Sequence, residues 1–413
     1  MLRWIAENWG IVMNLAQLAL PWVLAAAFAA ASGAHAAELK PDDTLLVPEL
    51  HGFVGQGYFV TTGNNYFDKS TFSNFGSFEM SEVGLNVTVQ LTSRLRTGMQ
   101  LFARDLGPIG DYRAAMDWYY LDYKWKDWFG IRAGRVKLPF GLYNDSIDID
   151  AARNAILPPQ SLYPAADRDF LQAQTGVELY GYQHLGGLGA LDYRFYLGTI
   201  FIEPRQMSVV YTVSRLEIPY VTGGRVLWET PMDGLRLGGS LQALRLDTTL
   251  DVPLLMTQFT VRIPAVFWVA SAEYLMGDLL CAVEYSRWHL HSESSNISLL
   301  PDMARVNERA YAKVSYRLAP WLQPGLSYSL FFPDMDHRAG RAAQQHDVSA
   351  TLRFDILANW LVKLEAHYMV GTAALGPLLV SEPNPRSPDN DNRPLSELQP
   401  NWWLFLAKTT AHF

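Results

Sequence analysis

The sequence predicts an all-β fold: a transmembrane antiparallel up-and-down barrel of about sixteen strands, closed on itself and set in lipid. Three observations predict it. Apolar and polar residues alternate with period two along most of the chain. Tyr, Phe and Trp make up 13% of the 413 residues, while mean hydropathy is near zero, which fits aromatic girdles around a lipid-facing barrel. Charged residues recur at mid-strand on the polar face, where a water-filled lumen would solvate them.

The chain opens with a segment, 1–36, that reads as an export leader. Arg3 supplies the early positive charge, an apolar run covers 18–31, and Ala34-His35-Ala36 forms a small-residue cleavage site. That run is short for a membrane helix, and no other stretch is long and apolar enough to be one. A short lead-in, 37–49, precedes a barrel expected over 50–413.

The clearest strand is 82–91. Val83, Leu85, Val87, Val89 and Leu91 share one face, and Glu82, Gly84, Asn86, Thr88 and Gln90 the other. After Thr92-Ser93 the next strand carries Leu95, Met99, Leu101 and Ala103 against Arg94, Arg96, Gln100 and Arg104. The same reading gives strands at 50–62, 94–104, 116–125, 129–137, 172–184, 189–201, 222–230, 234–246, 258–275, 279–290, 308–318, 322–332, 346–356, 360–371 and 402–413. Pro264 interrupts one of them. Tight connections alternate with long ones, as short periplasmic turns and long outer loops do in such barrels. The longest connection, 138–171, begins at Leu138-Pro139 and is polar and charged. A connection of that length is functional or disordered, and here it is expected to fold inward and narrow the lumen.

The chain ends in an aromatic strand on which Trp403, Phe405, Ala407, Thr409, Ala411 and Phe413 share a face. A terminal aromatic strand ending in Phe resembles the signature read by the barrel-assembly machinery of Gram-negative outer membranes, which assigns Phe413 that role. With the leader, the whole mature chain resembles outer-membrane porins. The piece Gly-Arg-Val-Lys-Leu-Pro-Phe-Gly-Leu-Tyr at 134–143 is similar to the strand-to-loop junction of porins related to the phosphate-selective O/P type. That resemblance implies a homotrimer in outer-membrane lipid, with the third outer loop as the constriction. The chain departs from the O/P type in lacking a lysine run in that loop, and it carries no N-terminal coiled-coil region of the dicarboxylate kind.

In the loop, Asp145, Asp148, Asp150, Asp167 and Asp169 are acidic, with Arg153 and Arg168 among them. Arg94, Arg96, Arg104 and Arg132 are the expected basic wall. Opposed charges across a narrow pore would select ions and orient dipolar solutes. Neither sign dominates the inward charges, so selectivity is expected to be weak. The expected function is passive diffusion of small hydrophilic solutes or ions. The alternative is a substrate-specific channel, for an anion, oxyanion or dicarboxylate, with a dedicated site. A plugged structural barrel is a third reading.

Other classes fare worse. The net charge of −8 argues against a nucleic-acid partner. The single cysteine, Cys281, rules out an intramolecular disulfide or a thiolate cluster, and reads as a small lipid-facing or packed residue. Asp148 and Asp150 are the spacing any acidic loop yields, and no histidine stands in a motif around a serine, so no catalytic residue, metal or cofactor is expected. His289 and His291 read as polar residues entering a loop.

Overall fold

The computed structural model describes residues 47–67, 75–107, 109–165, 168–202, 212–376 and 385–413. The predicted leader, most of the lead-in, Asp167 and the side chain of Asp169 lie outside the described residues. Sixteen strands among the described residues close into one barrel. They are β1 (Pro48–Thr62), β2 (Met80–Gln90), β3 (Leu95–Leu106), β4 (Ala115–Lys126), β5 (Phe129–Lys137), β6 (Ala173–His184), β7 (Ala190–Ile200) and β8 (Thr212–Glu229), followed by β9 (Leu235–Val252), β10 (Thr257–Met276), β11 (Leu279–Ser294), β12 (Met303–Tyr316), β13 (Leu322–Phe332), β14 (Gln345–Leu357), β15 (Trp360–Gly371) and β18 (Asn401–His412). A two-residue ladder, β16 (Arg386–Ser387) with β17 (Arg393–Pro394), sits in the last long connection.

Every barrel neighbour pairs antiparallel, and β18 closes the ring on β1 from Phe53↔His412 to Thr62↔Trp403. Closure satisfies each strand's backbone groups within the sheet and leaves no edge for lipid to meet. Phe413 completes the seam. Its N–H donates to the Gly52 carbonyl at 3.0 Å, and the Gly52 N–H donates back at 3.2 Å. The Phe413 ring lies over Gly52, where a Cβ would stand 2.6 Å from it.

Alternation sorts the two faces as expected. Val83, Leu85, Leu121, Leu241, Val283, Leu326, Leu352 and Leu364 stand exposed on the outside. Trp125, Trp128, Trp228, Trp321 and Trp360 are exposed beside the short turns, and Tyr119, Tyr220, Tyr328 and Trp403 toward the other end, the places of two interfacial girdles. Cys281, between Tyr274 and Val314 in the ladders, shares that outer face and is half-buried.

All the expected strands are present, and β5 and β13 match to the residue. The largest difference is on β8–β12, which run further than the alternation suggested. Beyond about Leu244 the two faces of β9 exchange character. Leu244, Leu246, Leu250 and Val252 are buried inward, while Arg245, Asp247 and Asp251 face out. The same holds on β10, with Phe259, Val261 and Ile263 buried and Arg262 outside. Outward charges are unfavourable in hydrocarbon, so these upper rows mark strands that rise above an apolar belt. His289 and His291 belong to such a row on β11 rather than to a loop. Pro264 sits within β10: it pairs with Arg245 on the β9 side, and the ladder to β11 lapses between Arg262 and Ala265. A missing N–H is tolerated there.

The buried upper rows form an apolar core inside the barrel. Leu244, Leu246, Phe259, Val261, Phe267, Trp288 and Tyr311 pack with Leu138, Phe140, Leu162, Tyr163, Phe170 and Leu171 of the long connection. The inner wall expected to be wet throughout is thus apolar on the β7–β12 side.

Candidate functional site

The connection after β5 is tied at its base. The Leu138 N–H donates to the Gln172 carbonyl at 2.9 Å. Asn144, buried, donates its amide to the carbonyls of Leu138 (2.9 Å) and Leu171 (2.7 Å), stapling the outgoing and returning chain. Gly141 has φ +61° and a Cβ there would stand 2.2 Å from the Tyr163 hydroxyl, so only glycine fits this turn.

The outgoing half runs along β7–β11. The Gly141 N–H donates to Ser240 Oγ at 3.0 Å, and Arg225 donates to the Gly141 carbonyl at 3.0 Å. Glu284, fully buried on β11, receives the Leu142 N–H (2.9 Å) and the hydroxyls of Tyr163, Tyr311 and Ser271. Tyr143 donates to Glu273. Burial and the facing carboxylates push both tyrosines above the ordinary phenol range. Asp145 lies between Arg194 and Arg225. Burial works against its charge, but those two guanidiniums and Lys137 hold its carboxyl below the usual range.

The middle crosses to other strands. Asp148, buried, accepts from Lys137 on β5 at 2.6 Å and from Gln100 on β3 at 2.7 Å. Asp150, also buried, accepts from Lys363 on β15 (3.0 Å), Thr410 on β18 (2.8 Å) and Arg153 (3.1 Å), with Lys408 at 3.3 Å. Burial opposes its charge too, yet Lys408, Lys363 and Arg153 hold it well below the usual carboxylate range. Lys363 also donates to the carbonyls of Asp150 (2.7 Å) and Ala155 (3.3 Å). Two residues along β15, Glu365 accepts the N–H groups of Ile156 (2.6 Å) and Leu157 (3.0 Å). Arg353 on β14 donates to the carbonyls of Ala151 and Arg153. Asn154 donates to the Gln323 carbonyl on β13 at 2.8 Å.

The returning half regains the β12 and β3–β4 walls. Arg309 donates to the Ser161 carbonyl at 2.6 Å. Arg104 donates to the Ala165 carbonyl at 3.1 Å, and Arg168 reaches Asp117 at 2.8 Å with its guanidinium 4.4 Å from the Phe102 ring centroid. Beside this half, against β2 and β3, lies a cavity of about 70 Å³ bordered by Glu82, Arg104, Asp105, Asp148, Arg153, Arg168 and Lys408.

The residues expected to face each other are therefore distributed differently. Asp145, Asp148 and Asp150 do meet cations of the wall, but these are Arg194, Arg225, Lys137, Lys363 and Lys408. Arg104 touches the connection. Arg96 and Arg132 instead bind the wall carboxylates Asp122 and Glu178. Arg94 stands exposed in the 92–94 turn, at the opposite end of β3 from the connection. Of the missed partners, Arg194, Lys363 and Glu365 were recognisable as inward charges by alternation. Nothing local marks which group of the loop each would meet.

No family model and no curated relative matches the chain. Solved structures do. In vitro-folded OmpT, an outer membrane protein of Vibrio cholerae, aligns at 12% identity and TM-score 0.55, over 91% of this chain and 100% of that one. An anion-selective porin from Comamonas acidovorans aligns at 12% identity and TM-score 0.54, over 89% and 99%. OmpF of Salmonella typhi, in complex with daunomycin, aligns at 12% identity and TM-score 0.51, over 89% and 97%. At such identities the likeness establishes the fold: the closed barrel of outer-membrane porins and channels.

Proposed function

We propose that the protein is an outer-membrane porin, a water-filled channel for passive diffusion of small hydrophilic solutes and ions, narrowed by the 138–171 connection. One observation carries this reading. The connection binds inward-facing side chains on strands from β3 round to β18, while the opposite faces of those strands carry an exposed apolar belt. In this reading 1–36 is a cleaved export leader, the C-terminal strand with Phe413 is the assembly signal, and the working unit in the membrane is a homotrimer. Asp145, Asp148, Asp150, Arg153 and Arg168 shape the constriction from the loop side, with Asp167 and Asp169 proposed to join them, and Arg104 from the wall. Arg96 and Arg132 line the lumen on the short-turn side, and Arg94 is left out of it.

The small cavity beside β2 and β3 favours a second reading, a narrow substrate-specific channel. The finer likeness to the phosphate-selective O/P type rests on the 134–143 junction alone and assigns no solute. Single-channel recording separates these readings. Deleting 147–166 should raise conductance severalfold in a porin narrowed by this segment. An unchanged conductance would remove the segment from the path. Reversal potentials in a salt gradient should be small for weak selectivity, and a large anion preference would favour the specific channel.

A further inference from the structure

On the short-turn side of the Asp148 anchor, the inner wall of β3–β6 carries aromatic rings laid over bare backbone. Trp118 and Tyr120 stack with centroids 5.5 Å apart and planes 14° from parallel. Both cover Gly98, where a Cβ would come within 3.2 Å of the Trp118 ring and the Tyr120 hydroxyl. Tyr180 covers Gly130 in the same way, 2.3 Å from a Cβ placed there. Trp118 and Tyr120 are half-buried, with Arg132 5.6 Å from the Tyr120 ring centroid and Lys137 6.0 Å from that of Trp118, so this wall already seats cations against aromatic rings.

A chain of alternating charges runs beside them. Arg96 pairs with Asp122 at 2.9 Å, Asp122 with Arg132 at 3.1 Å, and Arg132 with Glu178 at 3.0 Å. Glu178 continues to Arg194 at 2.6 Å, Arg194 to Asp145, and Asp145 to Arg225 at 2.9 Å. The chain starts and ends on arginine, and Asp192 adds a further carboxylate beside Arg194. Arg225 also donates to the Gly141 carbonyl and its side chain is only 7% exposed. Arg96 is 40% exposed, shares Asp122 with Arg132, and lies 5.7 Å from the Tyr120 ring centroid. The water-accessible end of the chain is therefore Arg96, beside the ring pair. A guanidinium presents a fork of N–H donors suited to a carboxylate.

We propose that Arg96, Tyr120 and Trp118 form a binding site for a small aromatic carboxylate, its ring on Tyr120 and Trp118 and its carboxylate on Arg96. An inorganic anion would use the arginine without the rings, and a neutral sugar the rings without the arginine. The site does not require that the barrel conduct, so it can be tested by binding alone. Benzoate is titrated calorimetrically into the folded protein in detergent, with saturation-transfer NMR reporting which ligand protons touch it. Benzoate should bind in the millimolar range, with its ring protons saturated most strongly, and benzyl alcohol and lactose should not. Arg96→Gln and Tyr120→Leu should each weaken benzoate by about tenfold or more. Heat-modifiable migration on gels checks that each variant is folded, and if one fails to fold the other carries the test. Equal binding of cyclohexanecarboxylate, binding unaffected by a folded variant, or no binding to the parent protein would each overturn the site.

Discussion

Lys363 and Asp150 are joined twice: the Lys363 ammonium donates to the Asp150 carboxylate at 3.0 Å and to its backbone carbonyl at 2.7 Å, and both side chains are fully buried. The pair fastens the middle of the long connection to a strand more than two hundred residues away. Removing one member of a buried ion pair leaves the other uncompensated, at about 3–5 kcal/mol. Lys408 and Arg153 remain beside Asp150, so Lys363→Ala should cost less, about 2–3 kcal/mol. Urea unfolding in liposomes, followed by tryptophan emission, measures this. A loss within error of zero would show that Lys408 and Arg153 hold the carboxylate without Lys363.

Acid should loosen the same joint. The groups facing Asp150 are Lys363 on β15, Lys408 and Thr410 on β18, and Arg153 on its own segment, and together they hold its carboxyl well below the ordinary 3.8. A carboxylate depressed in the folded state contributes stability that is present above its ordinary value and lost as pH falls through the lowered one. Anchoring should therefore be constant from neutral pH down to about pH 4 and weaken only below it. Open-channel current noise reports the loosening. A rise beginning near about pH 6 would point to a histidine instead. Asp150→Asn should show the noisy state already at neutral pH.

Glu284 is a different kind of anchor, for its four donors are hydroxyls and a backbone N–H rather than cations. Glu284→Leu would strand these buried donors, at about 1–3 kcal/mol for each one left without an acceptor. The expected result is release of the outgoing half, seen as rapid tryptic cleavage after Arg153 or Arg168 in a barrel whose strands stay protected. Glu284→Gln keeps an acceptor and should cleave much more slowly. Equal cleavage of the two variants would show that size, not hydrogen bonding, is what the site requires.

These anchors mark what could and could not be read from the chain. Alternation alone puts Lys363, Glu365 and Arg194 on the inner face, because a strand has only two faces. It could not say that Asp150 would meet Lys363, since that depends on how far a loop reaches across a closed ring. Alternation also lost the tops of β8–β11. Alternation implies apolar outside and polar inside, but from Arg245 onward the solvent changes from lipid to water while the interior becomes a packed core. The period of two continues through Leu250 and Val252, but the sense of the faces is reversed. Lys408 is hidden for a simpler reason: the signal of the last strand lies on its aromatic face, and the lysine is on the other.

The reversal on β9 gives the last prediction. Leu241 and Leu246 are chemically identical and five residues apart, so they point to opposite faces. Leu241 is 56% exposed within the outer belt, and Leu246 is 3% exposed in the inner core. Arginine at a lipid-facing site costs about 2–4 kcal/mol near the bilayer midplane and little near the interface. Leu241→Arg should therefore destabilise the barrel in liposomes but hardly in a detergent that lets the side chain reach water. Leu246→Arg places a charge inside the core against Ile263, its cross-strand partner, with no route to lipid headgroups. It should destabilise in both media, by several kcal/mol. Comparing the two variants in both media tests the face assignment directly. If Leu246→Arg were harmless and Leu241→Arg costly in detergent, the upper rows would be facing outward and the inner core would not exist.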